Sequence, residues 1–219
     1  MANFSTHLNV SAFVSGVGAT LLSYAGVVQK SDSLMFFFAG IVGGMLPDID
    51  HDKSTPLKIM QFFFSNLVAF LVTFKYIGRL PILNIALIWA GAYFLTNIFF
   101  YFFKKFTKHR GMIHSIPAAF LSWFIISLIA YKYWGMDVKN SYLIGFFVFL
   151  GYLTHLVLDE IYSVDLTGQR IKKSFGSALK MCSTDVKVNF LFLATLFLTF
   201  LFLPQKKELF LLIKGLINA

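Results

Sequence analysis

The chain has five histidines, His7, His51, His109, His114 and His155, and each lies at an end of an apolar stretch, with none in the middle of one. Carboxylates stand close to them in sequence. His155 and Asp159 are four apart, so on a helix they share a face one turn from each other; both could reach one divalent ion, or the carboxylate could bridge two. The plain alternative is a neutral histidine hydrogen-bonded to an aspartate at a helix end, but ionisable groups inside membrane segments point to function by default. In Asp48-Ile49-Asp50-His51-Asp52, Pro47 disfavours a helical Leu46, which predicts an extended segment with Asp48 and Asp50 pointing the same way. Read as a simple helix-ending loop, its three acids sit at the negative end of a helix dipole, where a bound cation would offset them. In His109-Arg110-Gly111-Met112-Ile113-His114-Ser115, Gly111 permits a tight turn and Ser115 is an N-cap with Pro117 in the first helical turn, so His114 stands just before a helix. The planar fork of Arg110 suits two phosphate oxygens, whereas Lys104, Lys105 and Lys108 read better as a membrane anchor. His7 alone reads as an interfacial residue, and only its side of the membrane raises it.

These residues need helices to position them. The 219 residues are 58% hydrophobic and 13% charged, against 45–50% and about 25% in soluble domains. One integral membrane domain over residues 1–219 is therefore expected, an all-α polytopic bundle. Stretches without Asp, Glu, Lys or Arg cover 1–29, 33–47, 59–74, 80–103, 111–131, 140–158 and 188–205. They predict about seven membrane helices, six to eight, since a crossing needs roughly 20 apolar residues. The stretch 33–47 is short enough to be tilted or re-entrant, and 1–29 reads as a retained first helix. Ser11, Ser15, Ala19 and Ser23, with Ala39, Gly40, Gly43 and Gly44, predict close helix packing. The run Phe62-Phe63-Phe64 reads as lipid-facing bulk. Residues 159–187 read as a surface loop, and 206–219 as a short interfacial helix. The single cysteine, Cys182, rules out an internal disulfide. The net charge of +9 lacks a basic stripe with interleaved aromatics, which argues against nucleic acid and for anionic lipid.

If the chain changes sides at each crossing, all five histidines, with Asp48, Asp50, Asp52, Asp159 and Glu160, meet at one membrane face. Loops on that face carry 11 Lys+Arg against 8 on the other, so the positive-inside rule puts the site on the cytoplasmic face.

Leu46-Pro47-Asp48-Ile49-Asp50-His51, His109-Arg110-Gly111 with His114-Ser115, and Gly151-Tyr152-Leu153-Thr154-His155 with Asp159, together with His7, resemble the bacterial membrane-bound metal-dependent hydrolases, the YdjM-like inner-membrane proteins. Ile113 departs from the threonine common there, and the segment after Asp159 follows a variant of the family's loop. The order of ligands is also distantly similar to that of zinc-dependent phospholipases C. The resemblance implies metal ligands at His7, Asp48 or Asp50, His114, His155 and Asp159, with Asp159 as bridge, and His51, His109 and Arg110 in contact with the ions or just behind them. It also implies two or three ions.

Mixed imidazole and carboxylate donors suit zinc first, then manganese or iron. Such a centre would activate water against a lipid or lipid-linked phosphoester, with Asp50 or Asp52 taking the proton and Arg110 holding the anionic oxygens. A metal- or proton-handling transporter, or a membrane protein with a structural metal, would use the same residue types. Oligomeric state is not legible. Seven crossings with the site inside place a reporter fused to the C-terminus outside the cytoplasm; a cytoplasmic signal would overturn the crossing count or the orientation.

Overall fold

A computed structural model describes residues 3–50, 55–106, 112–163, 179–183 and 185–217, and the side chains among these except those of 49, 50, 55–57, 59, 60, 103–106, 216 and 217. Among the described residues the chain is helical, without a strand. The helices are α1 (Phe4–Tyr24), α2 (Ser33–Met45), α3 (Thr55–Phe74), α4 (Ile82–Phe106), α5 (Ile116–Lys132), α6 (Val138–Ile161), α7 (Val186–Phe202) and α8 (Lys206–Ile217). A helix forms in each of the seven charge-free stretches, and α8 forms in the segment read as an interfacial helix.

Length and hydropathy qualify Ile82–Phe102 and Val138–Ile161 as membrane spans. A third is added if α7 and α8, bent by 101° at their junction, count as one. Ser33–Asp48, Gln61–Phe74 and Ile116–Lys132 are apolar but shorter. A 17-residue helix such as α5 measures about 25 Å against a hydrocarbon core of roughly 30 Å, so helix length by itself does not establish seven crossings.

The chain packs as two compact units, Met1–Pro47 with Arg110–Ala219, and Asp48–His109. In the first, α6 is the central helix and touches α1, α2, α5 and α8. Phe36, Leu143, Phe147 and Val148 are buried together on one side of it. On another side Trp123, Tyr142, Leu203 and Leu209 close the corner where α7 turns into α8. There Trp123 Nε1 donates to the Tyr142 carbonyl at 3.0 Å, and the Tyr142 hydroxyl donates to the Pro204 carbonyl.

The close packing expected of the small residues is present. A methyl group added at Gly43 would overlap the Val148 backbone, and one at Gly151 would overlap the Gly40 carbonyl, so α2 and α6 meet backbone to backbone. Gly40 and Gly44 leave room for the Ser15 and Ser11 side chains of α1. Lipid gives apolar helices no hydrophobic reason to associate, so contact at this range is what van der Waals attraction requires. Ser23 does not continue the stripe; it is only half-buried near the end of α1.

Two expectations are corrected. Leu46 is helical, with φ −58° and ψ −40°, and α2 runs into a 3-10 turn over Leu46–Asp50. Proline is tolerated near the start of such a turn, and at about 120° per residue positions 48 and 50 do not share a face. In the second unit α3 and α4 form a hairpin around Gly78, which has φ +78°. Phe62 and Phe63 are exposed, but Phe64 turns inward against Phe100, with ring centroids 6.5 Å apart. Gln61 Nε2 donates to Asn97 Oδ1 at 2.9 Å, pairing two amides that would be costly in hydrocarbon. Among the described side chains of α4 only Phe100 is buried, and the rest of the span presents a surface suited to lipid.

Gly43→Val is expected to lower the unfolding temperature in detergent or to abolish folding, because overpacking costs about 1–3 kcal/mol even where side chains can yield. Gly91→Ala, with nothing within 4 Å of the added methyl, is expected to leave that temperature unchanged or raised, since alanine is the better helix former. Equal losses in both variants would contradict the backbone contact.

Candidate metal centre

Asn3 starts α1 by accepting the Thr6 N–H at 2.8 Å, which leaves His7 one turn inside the helix. His7, Ser11, Ser15 and Ala19 follow at four-residue intervals and all are buried. Those intervals carry the imidazole toward α6, where Gly151, His155 and Asp159 repeat the same step. His155 and Asp159 are 0% and 2% exposed, so their shared helix face is an interior one.

The three side chains meet closely. The rings of His7 and His155 stack with centroids 3.7 Å apart and planes 10° from parallel. His7 Nε2 lies 3.2 Å from Asp159 Oδ1, and His155 Nε2 lies 3.8 Å from Asp159 Oδ2. Each imidazole therefore addresses a different oxygen of one carboxylate. His155 Nδ1 is 2.7 Å from the Gly44 carbonyl. A carbonyl only accepts, so Nδ1 carries the proton and Nε2 presents its lone pair toward Asp159.

His114 completes the cluster from the start of α5. Its ring centroid is 5.9 Å from that of His155, and the residue is 1% exposed. The expected cap is formed: Ser115 Oγ accepts the Ala118 N–H at 3.3 Å and donates to the Met112 carbonyl, with Pro117 in the first turn. The Tyr152 hydroxyl donates to the Ile113 carbonyl, tying the segment that carries His114 to α6. Lys180 joins through its backbone, its carbonyl accepting the Ile116 N–H at 3.2 Å.

Three of the five histidines, with Asp159, are thus brought together. Asp48 is half-buried in the 3-10 turn and is the first residue of the second unit. The side chain of Asp50, and all of His51, Asp52, His109 and Arg110, lie outside the described residues. Gly44 and Tyr152 are positioning groups that the sequence reading does not assign to the site; it reads Gly44 only as a packing residue. Gly44 acts through a carbonyl, which no residue type advertises, whereas Tyr152 lies within the resembling segment three residues before His155.

The donor set fits a transition metal. His7, His155 and Asp159 each offer a donor atom, and these lie within 4.8 Å of one another. Two donors on a tetrahedral zinc ion sit about 3.4 Å apart at usual bond lengths, close to the two carboxylate–imidazole separations. Both Asp159 oxygens are buried, and among the described residues neither accepts a hydrogen bond of good geometry; His7 Nδ1 is likewise without one. Burying a carboxylate in that state is costly unless positive charge stands beside it.

Tyr152→Phe removes the tie between α6 and the His114 segment while conserving the ring. It is expected to cost about 1 kcal/mol in detergent unfolding; no loss would place the His114 segment under other control.

A family model described as YdjM inner membrane protein matches residues 1–217. No curated protein and no solved structure matches the chain significantly. With that match over nearly its whole length and with apolar helices suited to a bilayer, the chain belongs to the YdjM inner membrane protein family.

Proposed function

We propose that this inner-membrane protein is a metal-dependent hydrolase acting on a phosphoester of a lipid or lipid-linked substrate. The observation that carries the reading is the meeting of His7, His155 and Asp159, three buried donors from two helices, with the second nitrogen of His155 bonded to the Gly44 carbonyl. Zinc is the first choice of metal, with manganese or iron as substitutes. The two imidazoles face opposite oxygens of Asp159, an arrangement that suits a carboxylate shared between two ions. When bound, such ions lower the pKa of a coordinated water and polarise the phosphoester.

The chain's own groups supply the rest. His114 is placed to add a ligand, and the sequence pattern adds Asp48 or Asp50, with His51 and His109 near them. Asp50 or Asp52 accepts the proton of the attacking water. Arg110 holds the phosphate oxygens. His7 is the fourth residue of α1 and Asp159 the third from the end of α6, so the donors gather at helix ends. Transport sites belong near the bilayer midplane, which favours surface chemistry over translocation. The finer architecture proposed with this reading is a bundle of about seven crossings, with the site on the cytoplasmic face.

The test is elemental analysis of the detergent-purified chain beside His155→Ala and Asp159→Asn, with folding checked by helical content and elution. Two or three equivalents of zinc or manganese are expected, falling at least tenfold in the variants. The metal-loaded protein should release headgroup or phosphate from a phospholipid panel, with the variants slower by 100-fold or more. Metal without release of either would leave a structural site and end the hydrolase reading. No metal after reconstitution would end the metal reading as well.

A further inference from the structure

At the opposite end of α5 from His114, a groove of about 420 Å³ runs between α5 and α7. Its walls are Leu128, Ile129, Lys132, Tyr133, Thr195, Leu198, Thr199 and Phe202. The two threonines add no free polarity. Thr195 Oγ1 donates to the Leu191 carbonyl and Thr199 Oγ1 to the Leu196 carbonyl, each at 2.8 Å. Apart from Lys132 and the Tyr133 hydroxyl, the groove is bounded by aliphatic side chains and the Phe202 and Tyr133 rings, so its body suits hydrocarbon better than a polar solute.

Its end is cationic. Lys132 is the last residue of α5, and its Nζ lies 5.4 Å from the Phe202 ring centroid. Lys206 stands at the same end of α7, donating to the Leu201 carbonyl at 2.9 Å and lying 5.8 Å from the Phe200 centroid. Neither lysine is ion-paired with a carboxylate among the described residues. Tyr133, 64% exposed, lies beside Lys132, the pairing of aromatic and cation found at membrane interfaces. An apolar slot ending in unneutralised positive charge is complementary to one molecule above others in a bilayer: a phospholipid with a negatively charged headgroup.

We infer that the α5–α7 groove is a binding site for an anionic phospholipid, one acyl chain lying against Leu128, Thr195 and Leu198 and the phosphate held at Lys132. The site is independent of the hydrolase reading. Its lysine lies 16 residues along α5 from Ile116, about 24 Å from the end that carries His114. It therefore holds a lipid without presenting it to the metal centre.

Native mass spectrometry of the full chain, with phosphatidylglycerol and phosphatidylcholine of identical acyl chains in equal amounts, tests the site. Wild type is expected to retain phosphatidylglycerol over phosphatidylcholine roughly fivefold, the preference one interfacial lysine supplies. Lys132→Gln should bring the ratio near one, Lys132→Arg should keep it, and Lys75→Gln, in the other unit, should leave it unchanged. Leu198→Trp, which fills the groove, should reduce retention of both lipids. An unchanged ratio in Lys132→Gln, or undiminished lipid in Leu198→Trp, would overturn the proposal. So would a wild-type dimer that is lost in Leu198→Trp, because a second copy of the chain would then occupy the groove.

Discussion

The contact between the α2 and α6 backbones is the constraint on which the site depends. Gly43 against Val148, and Gly40 against Gly151, remove the layer of side chains that ordinarily separates two helices. At that range a carbonyl of one helix can meet a side chain rooted in the other, and Gly44 meets His155 in this way. The same glycines accommodate Ser11 and Ser15, which sets α1 beside the pair with His7 at its end. One set of missing methyl groups thus fixes the positions of three helices and the orientation of one imidazole.

Much of this is legible in the sequence, and the limits have physical causes. The four-residue step from His155 to Asp159 places both on one interior face because both lie in regular helix, where spacing is a reliable guide to direction. Ser115 and Pro117 mark a helix start for the same reason. His7 looks like a lone terminal residue, yet it begins the repeat continued by Ser11, Ser15 and Ala19, a signal that one further step of the same spacing would expose. Pro47 misleads because its restriction on Leu46 is a preference, and the continuing helix overrides it with a 3-10 turn. Phe64 misleads because runs of one residue type carry no period; only the partner Phe100 shows which ring points inward. Crossing count is least legible, since gaps between charges mark helices whether or not those helices are long enough to traverse a bilayer.

The cluster also shows how an apolar bundle accommodates polarity. Elsewhere in the chain, interior hydroxyls such as those of Ser127 and Thr73 return to their own helix, bonding carbonyls three or four residues back. Asp159 has no such local outlet, because a carboxylate is only an acceptor and the N–H groups of its helix are already engaged. Its charge has to be met by side chains, and those within reach are the imidazoles of His7 on α1 and of His155 on its own helix. Any cation held there would couple its binding to the association of those helices.

The stacking of His7 on His155 has a consequence for the order in which the protein is made. These rings touch at 3.7 Å but are separated by 148 residues of chain, with Asp159 four residues later still. Ribosomes add roughly 5–20 residues per second, so α1 waits about 7–30 seconds between its own emergence and the arrival of its partners. Throughout that interval His7 has neither Asp159 nor the ring it stacks on. Completion of the site is thus a late event in biosynthesis, and a chain truncated before residue 155 would carry the glycine-lined face of α2 but never the cluster that face helps to assemble.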